Sequence, residues 1–178
     1  IQKGKISEIT FGNIVTYGCR EKAFAWTNNF IEKYGEKLNS KNKSEVVQFN
    51  LGLLHFYNDE LDKAFSILNK YNFHQSFQLK VRFTSLRVLF MQFLKDHSFY
   101  ESFFSYTKAT QKFMDRTNLF SQVVLESHKN TVGILLSLAK RIAKFENPQN
   151  IQSWFDGKLK TNKNLVVKRW LEEIVDSL

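Results

Sequence analysis

Apolar residues recur every three to four positions along almost the whole chain, while alternation with a period of two never lasts beyond a few residues. The first pattern lays an apolar stripe along one face of a helix; the second is what a half-buried strand needs. The stripes predict nine helices, over about 2–17, 20–38, 43–57, 60–71, 75–95, 99–115, 119–145, 148–160 and 164–177. The connections between them are short, and short connections make neighbouring helices antiparallel. The chain therefore reads as all-α.

Several helix ends carry local punctuation. Ser98 and Glu101 have the spacing of a capping box, in which each side chain answers a free backbone N–H of the first turn. Asn58 stands before Asp59, Glu60 and Asp62, a cap followed by acids suited to the positive end of a helix dipole. Asn147 precedes Pro148, and proline fits the first turn because no N–H is needed there. Leu38 to Ser44 is the clearest loop, and Asn162 to Asn164 separates the last two helices.

A pattern repeats along the first two thirds. Leu51 to Phe65 aligns with Leu89 to Phe103: helix, tight turn, acidic start, then a small residue followed by Phe. Gly18 to Phe24 fits Asp59 to Phe65 upstream, which makes Ala23, Ala64 and Ser102 equivalent small residues, each expected to face a preceding helix. Leu51 and Gly52 in one helix with Ala64 in the next resembles the tetratricopeptide (TPR) repeat. In that family small residues let the two helices of a pair approach closely. Gly52 costs roughly 1 kcal/mol against Ala inside a helix, so its presence there points to such a contact. The period is longer than the family's and its closing proline is missing, so the repeats are degenerate and cover about 10–115. Atypical helices fill 118–178. The last, with Leu165, Val166, Trp170, Leu171, Ile174 and Leu178 at helical spacing, reads as a cap that buries Trp154 and Trp170. The layout is also similar to the C-terminal regions of uncharacterised bacterial TPR-like proteins.

The resemblance implies a right-handed α-α superhelix, one domain over 1–178, and a concave face that binds a peptide or helix. The family's inner-face positions fall on Phe49, Leu53, Phe56 and Tyr57 in the central copy. In the next copy they fall on Thr84, Arg87, Met91 and Lys95. Independently, Lys80, Thr84, Arg87 and Met91 follow i, i+4, i+7, i+11 along one helix face. Apolar anchors at Phe49, Leu53 and Phe56 with Arg87 and Lys95 beside them would select an acidic segment. The family's clamp for acidic C-terminal tails is not matched, since its Asn positions hold Gly12, Leu53 and Met91 and its Lys positions hold Lys5, Phe49 and Arg87.

Composition narrows the chemistry. The 178 residues are 43% hydrophobic, enough for a core, with one proline, against the many turn residues a β-sandwich uses. The single cysteine forms no internal disulfide, which favours a reducing, cytoplasmic setting, and no apolar run reaches the roughly 18 residues of a membrane span. The sequence begins at Ile1, so a shortened chain is expected, and a structural region of a larger multidomain protein is a further alternative. The formal charge of +9 is spread evenly, and 20 of the 26 basic residues are Lys alongside abundant Asn, Ile and Phe, a mixture an AT-rich genome imposes. One stretch exceeds this background: Lys63 to Lys95 holds six basic residues and no acid, with Phe73, Phe77 and Phe83 among them. Lys158, Lys160, Lys163, Lys168 and Arg169 form a second acid-free run. Polyanion or RNA binding is thus the alternative to peptide binding, expected to be weak and sequence-blind because helical spacing commits the aromatics to packing. His55, His74, His97 and His128 lack metal-ligand spacing, Cys19 has no local partner, and no nucleophile or phosphate-loop motif occurs. No enzyme activity, metal or cofactor is expected.

Overall fold

The computed structural model describes residues 5–162 and 164–178; the lysine at 163 and the start of the first expected helix lie outside them. Nine α-helices form among the described residues: α1 Glu8–Arg20, α2 Phe24–Gly35, α3 Lys43–Tyr57, α4 Leu61–Lys70, α5 Gln78–Lys95, α6 Tyr100–Arg116, α7 Gln122–Ala143, α8 Pro148–Thr161 and α9 Lys168–Asp176. Short 3-10 turns, Gln75–Phe77 and His97–Phe99, lead into α5 and α6. The described residues are 79% helix with no strand among them; one isolated bridge joins Ile6 to Leu38.

Helix ends follow side-chain chemistry, in places through residues other than those expected. Asn147 accepts the Gln149 N–H with Pro148 in the first turn, as the sequence implies. At the start of α6 the cap moves upstream, to Asp96, which accepts the Ser98 N–H at 2.9 Å; Ser98 is therefore a donor and not the cap. Asn58 closes α3 instead of opening α4, its N–H reaching the Leu54 carbonyl, and Asp59 takes the left-handed region at φ 62° to turn the chain. The last helix begins at Lys168 rather than 164. The preceding segment is held instead by the Thr131 hydroxyl, which accepts the Val166 N–H at 3.0 Å.

Two compact units divide within α5, at Met91 and Gln92. In the first, α3 packs against α1, α2 and α4, and the helix pairs α1–α2 and α3–α4 each close tightly at a glycine. A Cβ on Gly52 would meet Leu68 Cδ2 at 2.9 Å, so the contact inferred for Gly52 exists, with Leu68 as its partner. A Cβ on Gly18 would lie 2.2 Å from Thr27 Oγ1. The three small residues diverge: Ala64 is fully buried, Ala23 precedes α2 at half-burial, and Ser102 is exposed. In α6 the buried face runs through Phe103, Thr107, Thr110 and Met114, one residue later than the alignment with Ala64 requires. Phe103 is large, so α6 does not repeat the small-residue contact.

In the second unit α6 pairs with α7, and α8 packs between α7 and α9. Its core joins Phe93, Phe103, Leu135 and Leu138 with Ile151, Phe155, Leu171 and Ile174. Trp154 and Trp170, expected in the cap's interior, are only half-buried; Phe155 and Leu171 occupy the core instead. Trp154 carries the Arg141 guanidinium 4.7 Å from its ring, which keeps that face near water.

Candidate functional site

The residues expected to line a groove on α3 and α5 are largely enclosed. Every position of α5 from Phe83 to Phe90 is buried. Leu53, Phe56 and Thr84 are buried, while Phe49, Tyr57 and Met91 are half-buried. Lys95 is exposed, in the second unit. Arg87, expected on a face open to an acidic segment, is only 4% exposed. Its guanidinium carbon lies 4.5 Å from the Phe56 ring centre and 6.0 Å from that of Tyr57, and it donates a hydrogen bond to the Tyr57 side chain. Burial pushes the Arg87 pKa down, the nearby Arg20 charge adds to that, and Tyr57 opposes it. Arg87 thus ties α5 to α3 through its stem, its stack and its donors. Lys80 does a similar job nearer the surface, its ammonium 3.9 Å from the Phe77 ring centre and 5.2 Å from that of Phe49.

A second face of the first unit is open. Between α1 and α2 runs a groove of about 790 Å³. The α1 wall presents Thr10, Asn13, Ile14 and Tyr17, at i, i+3, i+4 and i+7. The α2 wall presents Trp26, Asn29, Phe30, Lys33 and Tyr34, with the same spacing and one position more. Phe30, 8% exposed, is the floor: its ring centre lies 5.2 Å from Phe11 beneath, 5.7 Å from Trp26 and 5.0 Å from Tyr34. Tyr17 and Trp26 stand 66% and 54% exposed. At the Tyr34 end two ammonium groups, Lys33 and Lys37, lie 5.5 and 5.1 Å from that one ring. The hairpin's core face is separate, carried by Phe11, Val15 and Cys19 on α1 and by Thr27 and Ile31 on α2.

This groove was legible as a second helical stripe beside the core stripe, with an Asn–apolar pair in each helix at Asn13–Ile14 and Asn29–Phe30. The repeat alignment points to α3 and α5 instead.

The other chemistry is consistent with packing. Cys19 lies at the end of α1 and not at a helix start; burial pushes its thiol up to about 12, so it stays protonated and unreactive. No group of three His, Cys, Asp or Glu that could hold a metal ion occurs among the described residues. Glu60 gathers His55 Nδ1 at 2.7 Å, Asn58 and Lys63 at the α3–α4 turn, and these bonds hold its carboxyl down at about 2. Phe73, Phe77 and Phe83 are all buried. No helix of the described residues is long and apolar enough to cross a membrane. No protein family, curated protein or solved structure matches the chain.

Proposed function

We propose that the chain is a non-enzymatic protein-interaction module made of TPR-like antiparallel helix pairs in a right-handed superhelix, binding a peptide or helix of another protein. The binding surface is the α1–α2 groove in place of the α3–α5 face that the repeat positions imply. One observation carries this reading: a groove of about 790 Å³ leaves Tyr17 and Trp26 more than half exposed over a buried aromatic floor. Large exposed aromatics beside apolar floors are the anchors that interfaces use, because they bury much area with few rotatable bonds. The polyanion alternative has less support. Lys63 engages Glu60, Lys80 lies on two rings, Arg87 is buried, and the three phenylalanines among them offer no face to a base.

Selection of a random peptide library against the folded protein tests the reading. Selected peptides should lose at least tenfold in affinity for Tyr17→Ala and Trp26→Ala proteins whose thermal unfolding is nearly that of wild type. Peptides that bind both variants undiminished would place the interaction elsewhere.

A further inference from the structure

The α1–α2 pair already holds one helix: α3 packs against both of its members on the core face. The groove offers the opposite side of the same two helices, with both walls in the i, i+3, i+4, i+7 spacing whose ridges receive another helix. Its charge is one-sided. Lys33 is the charged residue of the lining, Lys37 stands beside it over the same Tyr34 ring, and neither ammonium joins an ion pair among the described residues. Lys33 lies in the last turn of α2 and Lys37 two residues past its end, where cations suit that helix's own dipole. That local role does not call for two ammonium groups converging on one ring at the mouth of a groove. Asn13 and Asn29 line the walls, and both are exposed.

We propose that this groove takes an amphipathic α-helix whose acidic last turn lies at Lys33 and Lys37. The proposal rests on the groove being a binding surface and adds the chemistry of the occupant. The apolar stripe of the incoming helix covers Ile14, Tyr17, Trp26 and Phe30. A polar residue in the middle of that stripe meets Asn13 and Asn29, which would otherwise be buried without partners. The carboxylates and the negative end of the helix dipole both meet the two lysines, which fixes the direction in which the helix lies.

The probes are synthetic peptides of about five turns, each with a Leu/Phe stripe at helical spacing, one Gln at its centre and a side-chain staple. One ends in Glu-Glu and one in Lys-Lys. A third, unstapled, keeps the Glu-Glu end but carries two prolines that forbid the helix. Titrations are followed by peptide anisotropy and Trp26 fluorescence. The Glu-ended helix should bind wild type at least tenfold tighter than the Lys-ended one. That preference should reverse in the Lys33→Glu, Lys37→Glu protein, and Trp26→Ala should weaken both. The double variant's far-UV spectrum and melting curve verify that it folds.

Equal affinity for the two charge types, or no reversal in the double variant, overturns the proposal. Equal binding by the proline peptide, lost on Trp26→Ala, also overturns it while leaving the groove as a peptide site. If neither these probes nor any library-selected peptide responds to Trp26→Ala, the groove reading falls as well.

Discussion

Arg87 lies over Phe56 and Tyr57 with 4% of its surface exposed, whereas Lys33 and Lys37 lie over Tyr34 at the rim of an open groove. The chemical motif is one, a cation on an aromatic face, and burial decides what it does. At Arg87 the cation has left water, so its stack and its bond to Tyr57 serve to hold α5 on α3. At Lys33 and Lys37 the ammonium groups remain at the mouth of a groove where a partner's carboxylate can reach them. Basic residues beside aromatics are therefore not interchangeable evidence of a binding site.

The contrast is broken most severely by reversing the buried charge. Arg87→Glu should cost about 3 kcal/mol or more, because an unpaired carboxylate would be buried against the negative faces of two rings that had held a cation. Chemical denaturation measures it, and a loss below about 1 kcal/mol would show that Arg87 is not a strut. Next is the glycine that lets the groove's two walls close. A Cβ on Gly18 overlaps Thr27 Oγ1, and Thr27 is wholly buried, so Gly18→Ala should destabilise by about 2 kcal/mol despite alanine's better helix propensity. A stabilised variant in the same denaturation assay would contradict that close approach.

A smaller effect appears only in acid, at the turn following Phe56 and Tyr57. The Glu60 carboxyl titrates at about 2 in the folded chain, against an ordinary 4.5, chiefly through its bond from Lys63 and then those from His55 and Asn58. Its contribution is present above about pH 4.5 and is lost as pH falls toward 2. Glu60→Gln should therefore be less stable than wild type at neutral pH, with the gap narrowing as the buffer is taken down to pH 2.5. A gap that stays constant with pH would show that the carboxylate charge is not what matters. The smallest effect belongs to the open site. Lys33→Glu with Lys37→Glu should change unfolding free energy by no more than about 0.5 kcal/mol, as exposed positions do. A loss comparable to that of Arg87→Glu would mean the rim is structural after all.

How much of this was legible follows from range. The Asn147–Pro148 start, the α3 bounds and the nine-helix order rest on neighbours within one turn, and the sequence contains those neighbours. The Asp96 cap shows the limit of such reading, since two side chains near one helix start competed and the aspartate took the Ser98 N–H. Gly52 was readable as a close contact, yet its partner Leu68, sixteen residues on, was not, and neither was the one-residue slip that buries Phe103 and exposes Ser102. The groove on α1 and α2 was present as a second stripe, but a stripe does not state whether a neighbour covers it.

By itself the sequence determined an all-helical chain, the approximate span of each helix and the pairing of neighbours through short turns. Those outcomes depend on 3.6-residue periodicity, capping chemistry and chain length, all of them local. Only the tertiary structure decided which stripe meets another helix. It enclosed Arg87 and Thr84 on α5, which carries charge yet is buried on all sides from Phe83 to Phe90, and it left Tyr17 and Trp26 uncovered. The physical reason is that burial belongs to pairs of helices: a face is core or site according to what packs against it, and that partner is distant in the chain.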